Sequence, residues 1–428
     1  MSVIKKITIP HGMEETISFE IPAENLKAVL TAPDAAPVAD LHAEVRQALS
    51  RPIGCVKLRD LVRDKKNAVI LADDNTRLTP TSVILPHILE EMTKGGMKDS
   101  QITLLIALGT HRFMTEKEIL QKYGEQVAGR IKIINHDFRD TAGLADLGRT
   151  QNGTPISVSK ILCDADFSLG VGSVYPHHIP GFAGGAKIVQ PGVCGEATTG
   201  ATHLLGCRIR PSYLGVIDNP VRRELNAVAR SAKMHYIFNA VQNEQGRTVQ
   251  TFFGDVEEAF LAAAEKSRAT LSTPYTEQTD IVVAGSFPAD LEFWQAHKSL
   301  YPADAVAKPG GTIILVTPCP EGIAVTHPEM TEYTAWPAKE IDDAVRSGKI
   351  ADQTSAALAI AWALVREGRQ ISIVSKGLSD SDAAKLGFVP FATVDAALED
   401  AFRRHGPGAQ VTVLPRAPET LPVKEKTG

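Results

Sequence analysis

Nowhere in this chain do about 18 apolar residues run together, the length a membrane-crossing helix needs. The first residues, MSVIKKITIPHGMEETISFEIP, carry charges where a secretory leader would carry an apolar core. No membrane partner is expected, and the expected location is cytoplasmic. No segment concentrates lysine and arginine, and the net charge is −5 with a pI near 6.2. That is not the basic footprint of a phosphate-backbone binder, so nucleic acid is a poor partner. Cysteine is scarce: Cys55, Cys163, Cys194, Cys207 and Cys319 are scattered, with no C-x-x-C pair. A disulfide framework and a structural zinc are both disfavoured, and Cys194 reads as a small buried apolar residue. Also missing is a G-x-G-x-x-G turn after an early strand with an acidic residue about 20 positions on, which counts against a nicotinamide-dependent oxidoreductase.

What is present is ample core material. The chain has 428 residues, 43% hydrophobic and 22% charged, enough for two α/β domains, expected over 1–270 and 275–428 with the change-over near 268–278. The alternation in KKITIPHGMEETISFEIP predicts a β-hairpin at an edge of the first domain. NAVILADD, QITLLIALG, IKIINHD and DADFSLGVGS read as buried strands, with helices at PTSVILPHILEEMTKGG and TEKEILQKYG. That order predicts a largely parallel sheet whose ligand lies beyond the carboxyl ends of the strands. DIVVAGS, GGTIILVTP, RQISIVSKG and AQVTVLP repeat the pattern in the second domain, and the tail LPRAPETLPVKEKTG is expected to fray.

Chemistry-bearing residues gather in the predicted loops. In PHHIPGFAGGAK, Ala186 and Ile188 break the P-loop pattern. Gly184 and Gly185 would still let the backbone come close to a ligand, and Lys187 is a phosphate contact, a covalent anchor or a surface cation. His111 in GTHRFMT is either a general base at a strand end or a cap on the helix that Thr115 starts. An extended backbone would send His177 and His178 to opposite sides. His203 on its helix is a possible metal ligand. Asp73, Asp74 and Arg77 in ADDNTRLTP form either an anion clamp or a capped turn with a salt bridge. Trp294 and Lys298 in FWQAHKSLYPA share a helical face, either in a site or on an ordinary amphipathic helix.

Taken in order and spacing, DDNTR, GTHRFMT, PHHIPGFAGGAK with a following histidine, and WQAHK resemble the nickel-dependent lactate racemase family over nearly the whole chain. His111 to His177 is 66 residues, His177 to Lys187 is 10 and Lys187 to His203 is 16. The resemblance implies a racemase or epimerase of 2-hydroxy acids with its active site in an interdomain cleft. It implies a nickel-pincer nucleotide, a modified pyridinium mononucleotide holding nickel through a ring carbon and two sulfurs, and hence dependence on the proteins that make this cofactor. Lys187 would carry it through a thioamide, with Asp74, Thr76, Gly184 and Gly185 around it, and His203 would ligate nickel. His111 and His177 would be the acid/base pair. Arg77, Gln295, Lys298 and Trp294 would hold the substrate.

Chemistry agrees with that assignment. The C2–H of a 2-hydroxy acid is poorly acidic beside a carboxylate, so inversion is easier by hydride removal to an electrophilic cofactor than by proton removal. The resulting 2-keto acid can take hydride back on its other face, and two histidines serve the two proton transfers. Relatives tend to carry Tyr before the Gln of QAHK and Trp after an Asp-Gln pair, where this chain has Trp294 and Thr354. A larger or more polar substrate than lactate is therefore expected. A non-catalytic carboxylate-binding protein is the competing reading.

Overall fold

The computed structural model describes residues 3–425. Five consecutive buried apolar residues, Ala68–Ala72, form a strand near the middle of the first sheet. A strand covered on both faces has no polar side to alternate with, which is why this one reads as an unbroken apolar run. The sheet runs Thr248–Asp255, Tyr236–Gln242, Phe167–Ser173, Ala68–Ala72, Ile102–Ile106 and Lys132–Asn135. All neighbours are parallel except the Thr248–Asp255 edge strand, which is antiparallel. From Ala68–Ala72 the chain first adds strands on one side, through Ile102–Ile106 and Lys132–Asn135. It then returns to add Phe167–Ser173 on the other. The loops leaving Ala72 and Ser173 consequently diverge at a topological switch point, where a crevice opens at the carboxyl ends of the strands.

The second sheet runs Val389–Pro390, Gln370–Val374, Ala307–Val316, Thr279–Gly285, Val411–Leu414 and Leu26–Val29, with every pairing parallel. Two α/β units with largely parallel sheets are thus present, as the alternation of apolar runs and amphipathic segments requires.

Two expectations are corrected. The hairpin Ile4–His11/Glu15–Pro22 does form, but Ile9, Phe19 and Ile21 pack on Ile281, Val283, Ile314 and Val316 of the second sheet. Alternation defines an apolar face without specifying which sheet receives it, and the strand Leu26–Val29 that follows is already the edge of that sheet. The tail does not fray over its described part. Ala417 is fully buried, and Leu421–Lys424 pairs with Ser272–Tyr275, immediately after the helix Glu258–Leu271. Residues 426–428 of that tail lie outside the described residues.

Candidate active site

One cavity collects loops from both halves. Asp74 and Arg77 follow Ala72, His111 follows the Ile102–Ile106 strand, and His177 and Lys187 follow Ser173. Trp294, Gln295 and Lys298 reach it from the short helix Phe293–Ala296 and the turn after it, while His203 comes from the helix Glu196–Cys207. Two of the residues singled out stand off this cavity. Thr76 spends its hydroxyl on Asp74 Oδ1 at 2.5 Å, and Gly185 donates its N–H to Asn239 Oδ1 at 2.9 Å.

His111 is not a helix cap. Thr115 fills that place and forms a capping box with Glu118, which leaves the imidazole for the cavity. Its Nδ1 is 2.5 Å from Asp74 Oδ2, and its Nε2 accepts from Gln295 Nε2 at 2.7 Å. Burial alone would raise the Asp74 carboxyl, but His111, Arg77 and Thr76 hold it well below the usual carboxylate range. Burial pulls His111 down from its usual value, with Asp74 opposing. An ionised Asp74 fixes the proton of the neutral ring on Nδ1 and leaves the Nε2 lone pair toward the cavity, the arrangement a general base needs.

His177 and His178 do not point to opposite sides. The strand Pro176–His177 is only two residues long, and the chain turns at once, so the two rings stack with centroids 4.8 Å apart. His178 in turn stacks on Tyr301 at 3.9 Å. His177 Nδ1 accepts the Ile179 N–H at 3.1 Å. Burial and the neighbouring Lys187 drive His177 well below its usual value, so it is neutral at pH 7.

Lys187 leaves a one-turn 3₁₀ helix, Gly185–Ile188. Gly184 (φ 80°) and Gly185 (φ 59°) both have left-handed backbones that favour glycine. A Cβ at Gly184 would come within 2.5 Å of Val174 Cγ2, and one at Gly185 within 2.8 Å of the Phe260 ring. These glycines admit the turn against the protein's own packing, and Gly184 also lines the cavity. Burial, then Arg77 and Arg222, bring the Lys187 amine down to about 7, with Asp74 opposing. His203 Nδ1 is 2.8 Å from the Thr199 carbonyl. Nδ1 therefore carries the proton, and Nε2 keeps an open lone pair, the arrangement in which a backbone carbonyl fixes the tautomer of a histidine able to bind a metal.

Arg77, Lys187 and Lys298 bring three cationic side chains to one enclosure. Arg77 donates to Thr76 Oγ1 at 2.7 Å and to Gln295 Oε1 at 3.4 Å, and Lys298 donates to Gln295 Oε1. None of these acceptors is a carboxylate, so Arg77 keeps its charge to offer an anion. Burial, then Arg77 and Lys187, push the Lys298 amine well below its usual value, and an incoming anion would draw a proton onto it. Trp294 is stacked on His327 at 4.1 Å, and His327 is held by Asp352 at 2.5 Å. His297 of the FWQAHKSLYPA stretch also lines the cavity, as do Tyr175 and Leu358, which sequence reasoning missed. Tyr175, two residues before His177, was the findable one. Thr354 is fully buried, and Leu358, one turn further along the same helix, faces the cavity in its place.

Comparison with known proteins agrees with the motifs. Residues 13–212 match the lactate racemase N-terminal domain and residues 275–418 the lactate racemase C-terminal domain. The lactate racemase of Lactiplantibacillus plantarum is 30% identical over 423 residues, covering 96% of this chain and 97% of that protein. The lactate racemase of Thermoanaerobacterium thermosaccharolyticum is 31% identical over 322 residues, 74% of this chain and 75% of that protein. The solved lactate racemase apoprotein from T. thermosaccharolyticum superposes with a TM-score of 0.87 at 24% identity, over 98% of this chain and 100% of that one. A Thermotoga maritima protein of known structure gives a TM-score of 0.72 at 21% identity, over 92% and 100%. The fold is shared with both structures. On the domain matches and the nearly full-length identity, this chain belongs to the lactate racemase family, a family of isomerases.

Proposed function

We propose that this protein is a racemase or epimerase that inverts C2 of a small 2-hydroxy acid through a 2-keto acid. The observation that carries the reading is the convergence, in one cavity, of a base-competent His111, a lysine amine near neutrality and a histidine with its outer nitrogen open.

The residues fit the nickel-pincer nucleotide. Lys187 offers an amine that is in part uncharged at neutral pH for attachment, His203 Nε2 offers a lone pair for nickel, and the positive charge of Arg77 suits a phosphate-bearing group. No three His, Cys, Asp or Glu side chains among the described residues are grouped to hold a metal, so the remaining nickel ligands would come from the nucleotide itself. When bound, the cofactor supplies an electrophilic centre able to take hydride from C2 and return it. The protein then depends on the enzymes that make the cofactor.

The chain's own residues do the rest. Arg77 and Lys298 hold the substrate carboxylate through charge-assisted bonds, each worth roughly 1.5–3 kcal/mol. The substrate hydroxyl takes the place of Gln295 at His111 Nε2 and gives up its proton there. His177 is the second proton-handling group, on the opposite side of the substrate. Trp294 and Leu358 form the wall against the substrate's side chain. Because Leu358 and not Thr354 lies on the cavity, a short aliphatic side chain suits this wall better than the more polar one expected from Thr354. Lactate, the acid named for both relatives, is the first substrate to test.

The test is intact-mass analysis with nickel determination on protein made in a host that has the cofactor pathway. An adduct that disappears in Lys187→Ala, with nickel in step, supports the reading. A clean apo mass without nickel, in a host where a known relative is loaded, overturns it.

A further inference from the structure

Arg222 is a guanidinium only 4% exposed, on the helix Pro220–Ser231, and it does not line the cavity. It lies over the Phe260 ring at 4.0 Å. Nη1 donates to the Gly184 carbonyl at 3.0 Å, Nη2 donates to the Phe182 carbonyl, and Nε has no partner. Burial pulls it down to about 9, and no neighbouring carboxylate offsets that among the described residues. A buried cation without a counter-ion costs several kcal/mol, and packing alone would be served by methionine in its place.

What Arg222 grips is the turn that carries the lysine. The peptide between Gly184 and Gly185 is held at both ends, its carbonyl by Arg222 and its N–H by Asn239 Oδ1. The same Gly184 carbonyl accepts the backbone N–H of Lys187 at 3.3 Å. We propose that Arg222 is the positioning residue of Lys187: it fixes the turn from which the amine projects and places an unpaired positive charge near it. The proposal rests on Lys187 being the attachment point.

Burial is the largest cause of the lowered Lys187 amine, and the nearby Arg222 guanidinium adds to it against the opposing Asp74. Arg222 is far the stronger base, so Lys187 gives up its proton. Only the free amine has a lone pair with which to attack an acyl-type carbon. Arg77 acts in the same sense from the cavity side, but it is committed to the substrate. Arg222 is free of that duty.

The experiment is competitive labelling of the full-length, cofactor-free protein with trace acetic anhydride across pH. Mass spectrometry reads Lys187 relative to Lys339, an exposed lysine whose side chain is 86% accessible. In the wild type Lys187 should titrate near neutrality, far below Lys339. In Arg222→Met the ratio at pH 7 should fall at least about twofold, the effect of half a pKa unit on an amine that titrates near 7, and Arg222→Lys, which keeps the charge, should restore most of it. A wild-type Lys187 that titrates with Lys339, or a folded Arg222→Met protein with an unchanged profile, overturns the proposal. Should the methionine variant fail to fold, Arg222→Gln replaces it under the same criterion. These readouts need no cofactor, so their failure is distinct from the absence of an adduct in the loading test.

Discussion

The His111 imidazole is held between Asp74, 2.5 Å from its Nδ1, and Gln295, 2.7 Å from its Nε2, so a single ring joins the two halves of the molecule. Asp74 orients the ring, and Gln295 occupies the nitrogen that, in the proposed mechanism, receives the substrate hydroxyl. Asp74→Asn should preserve the shape of the site while removing the charge that fixes the tautomer. We expect kcat/KM to fall by about 10²- to 10⁴-fold, the range of a general base. The acid limb of the pH profile should also move. His111 already titrates below 6.5 because burial outweighs Asp74, and Asp74 is what holds it up, so the limb shifts to lower pH in the variant. A limb that stays in place or moves upward contradicts the pairing.

Acid lability follows from the buried histidines. His177, His178 and His297 are 6%, 3% and 1% exposed, and burial drives each well below the usual histidine value of 6.5. They are neutral in the fold, whereas in the unfolded chain they take up protons below 6.5. Their contribution is therefore fully present above pH 6.5 and is lost as pH falls beneath it, at about 1.4 kcal/mol per pH unit for each ring. Urea unfolding of the cofactor-free protein should show midpoints that are level from pH 8 to 7 and fall steeply from 6.5 to 5.5. Equal midpoints at pH 7.5 and 5.5 would contradict the assignment.

Lys298→Met should act on substrate binding. Its amine donates to the neutral Gln295 amide, and a substrate carboxylate would favour the protonated form that burial and Arg77 disfavour, so it can turn to that carboxylate without breaking an ion pair. KM should rise about tenfold to a hundredfold, the worth of one charge-assisted hydrogen bond, with Lys187 loading unchanged by mass. Lost loading with an unchanged KM would place Lys298 at the cofactor instead.

Across the cleft mouth, Arg112 grips Glu321 through Nε at 3.0 Å and Nη2 at 2.6 Å, and Thr326 Oγ1 donates to the Thr110 carbonyl at 2.6 Å. These contacts tie the His111 loop to the second half. The ion pair is partly exposed, so it is worth at most about 1 kcal/mol. Glu321→Gln should raise KM about two- to fivefold, in the range of such a pair. Added salt should raise the KM of the wild type more than that of the variant, because the two share only the screening of the substrate's own charge. Equal salt responses in the two proteins would argue against the tie.

Much of this was legible in the sequence for definite reasons. NAVILADD and DADFSLGVGS are apolar because both faces of their strands are covered, and the loops after them must meet at the switch point. Asp74, Arg77, His111, His177, Lys187 and His203 duly line one cavity. What the sequence hid are contacts between distant elements. Nothing near Ile9 or Phe19 says which sheet the hairpin will cover. Nothing near Arg222 or Asn239 announces a grip on a peptide about 40 residues earlier in one case and 54 residues earlier in the other. The stacking of His177 on His178 contradicts the alternation rule because the strand stops after two residues. Thr354 misled because its helix presents Leu358 to the cavity.

The central claim is that C2 inverts by hydride return and not by proton exchange. The most direct measurement uses one enantiomer of lactate deuterated at C2, incubated with loaded enzyme in ordinary water, with the opposite enantiomer isolated by chiral chromatography and weighed by mass spectrometry. Hydride return predicts that the product keeps its deuterium at C2. Product carrying protium from solvent would mean that a proton was removed from carbon, and the account would be wrong.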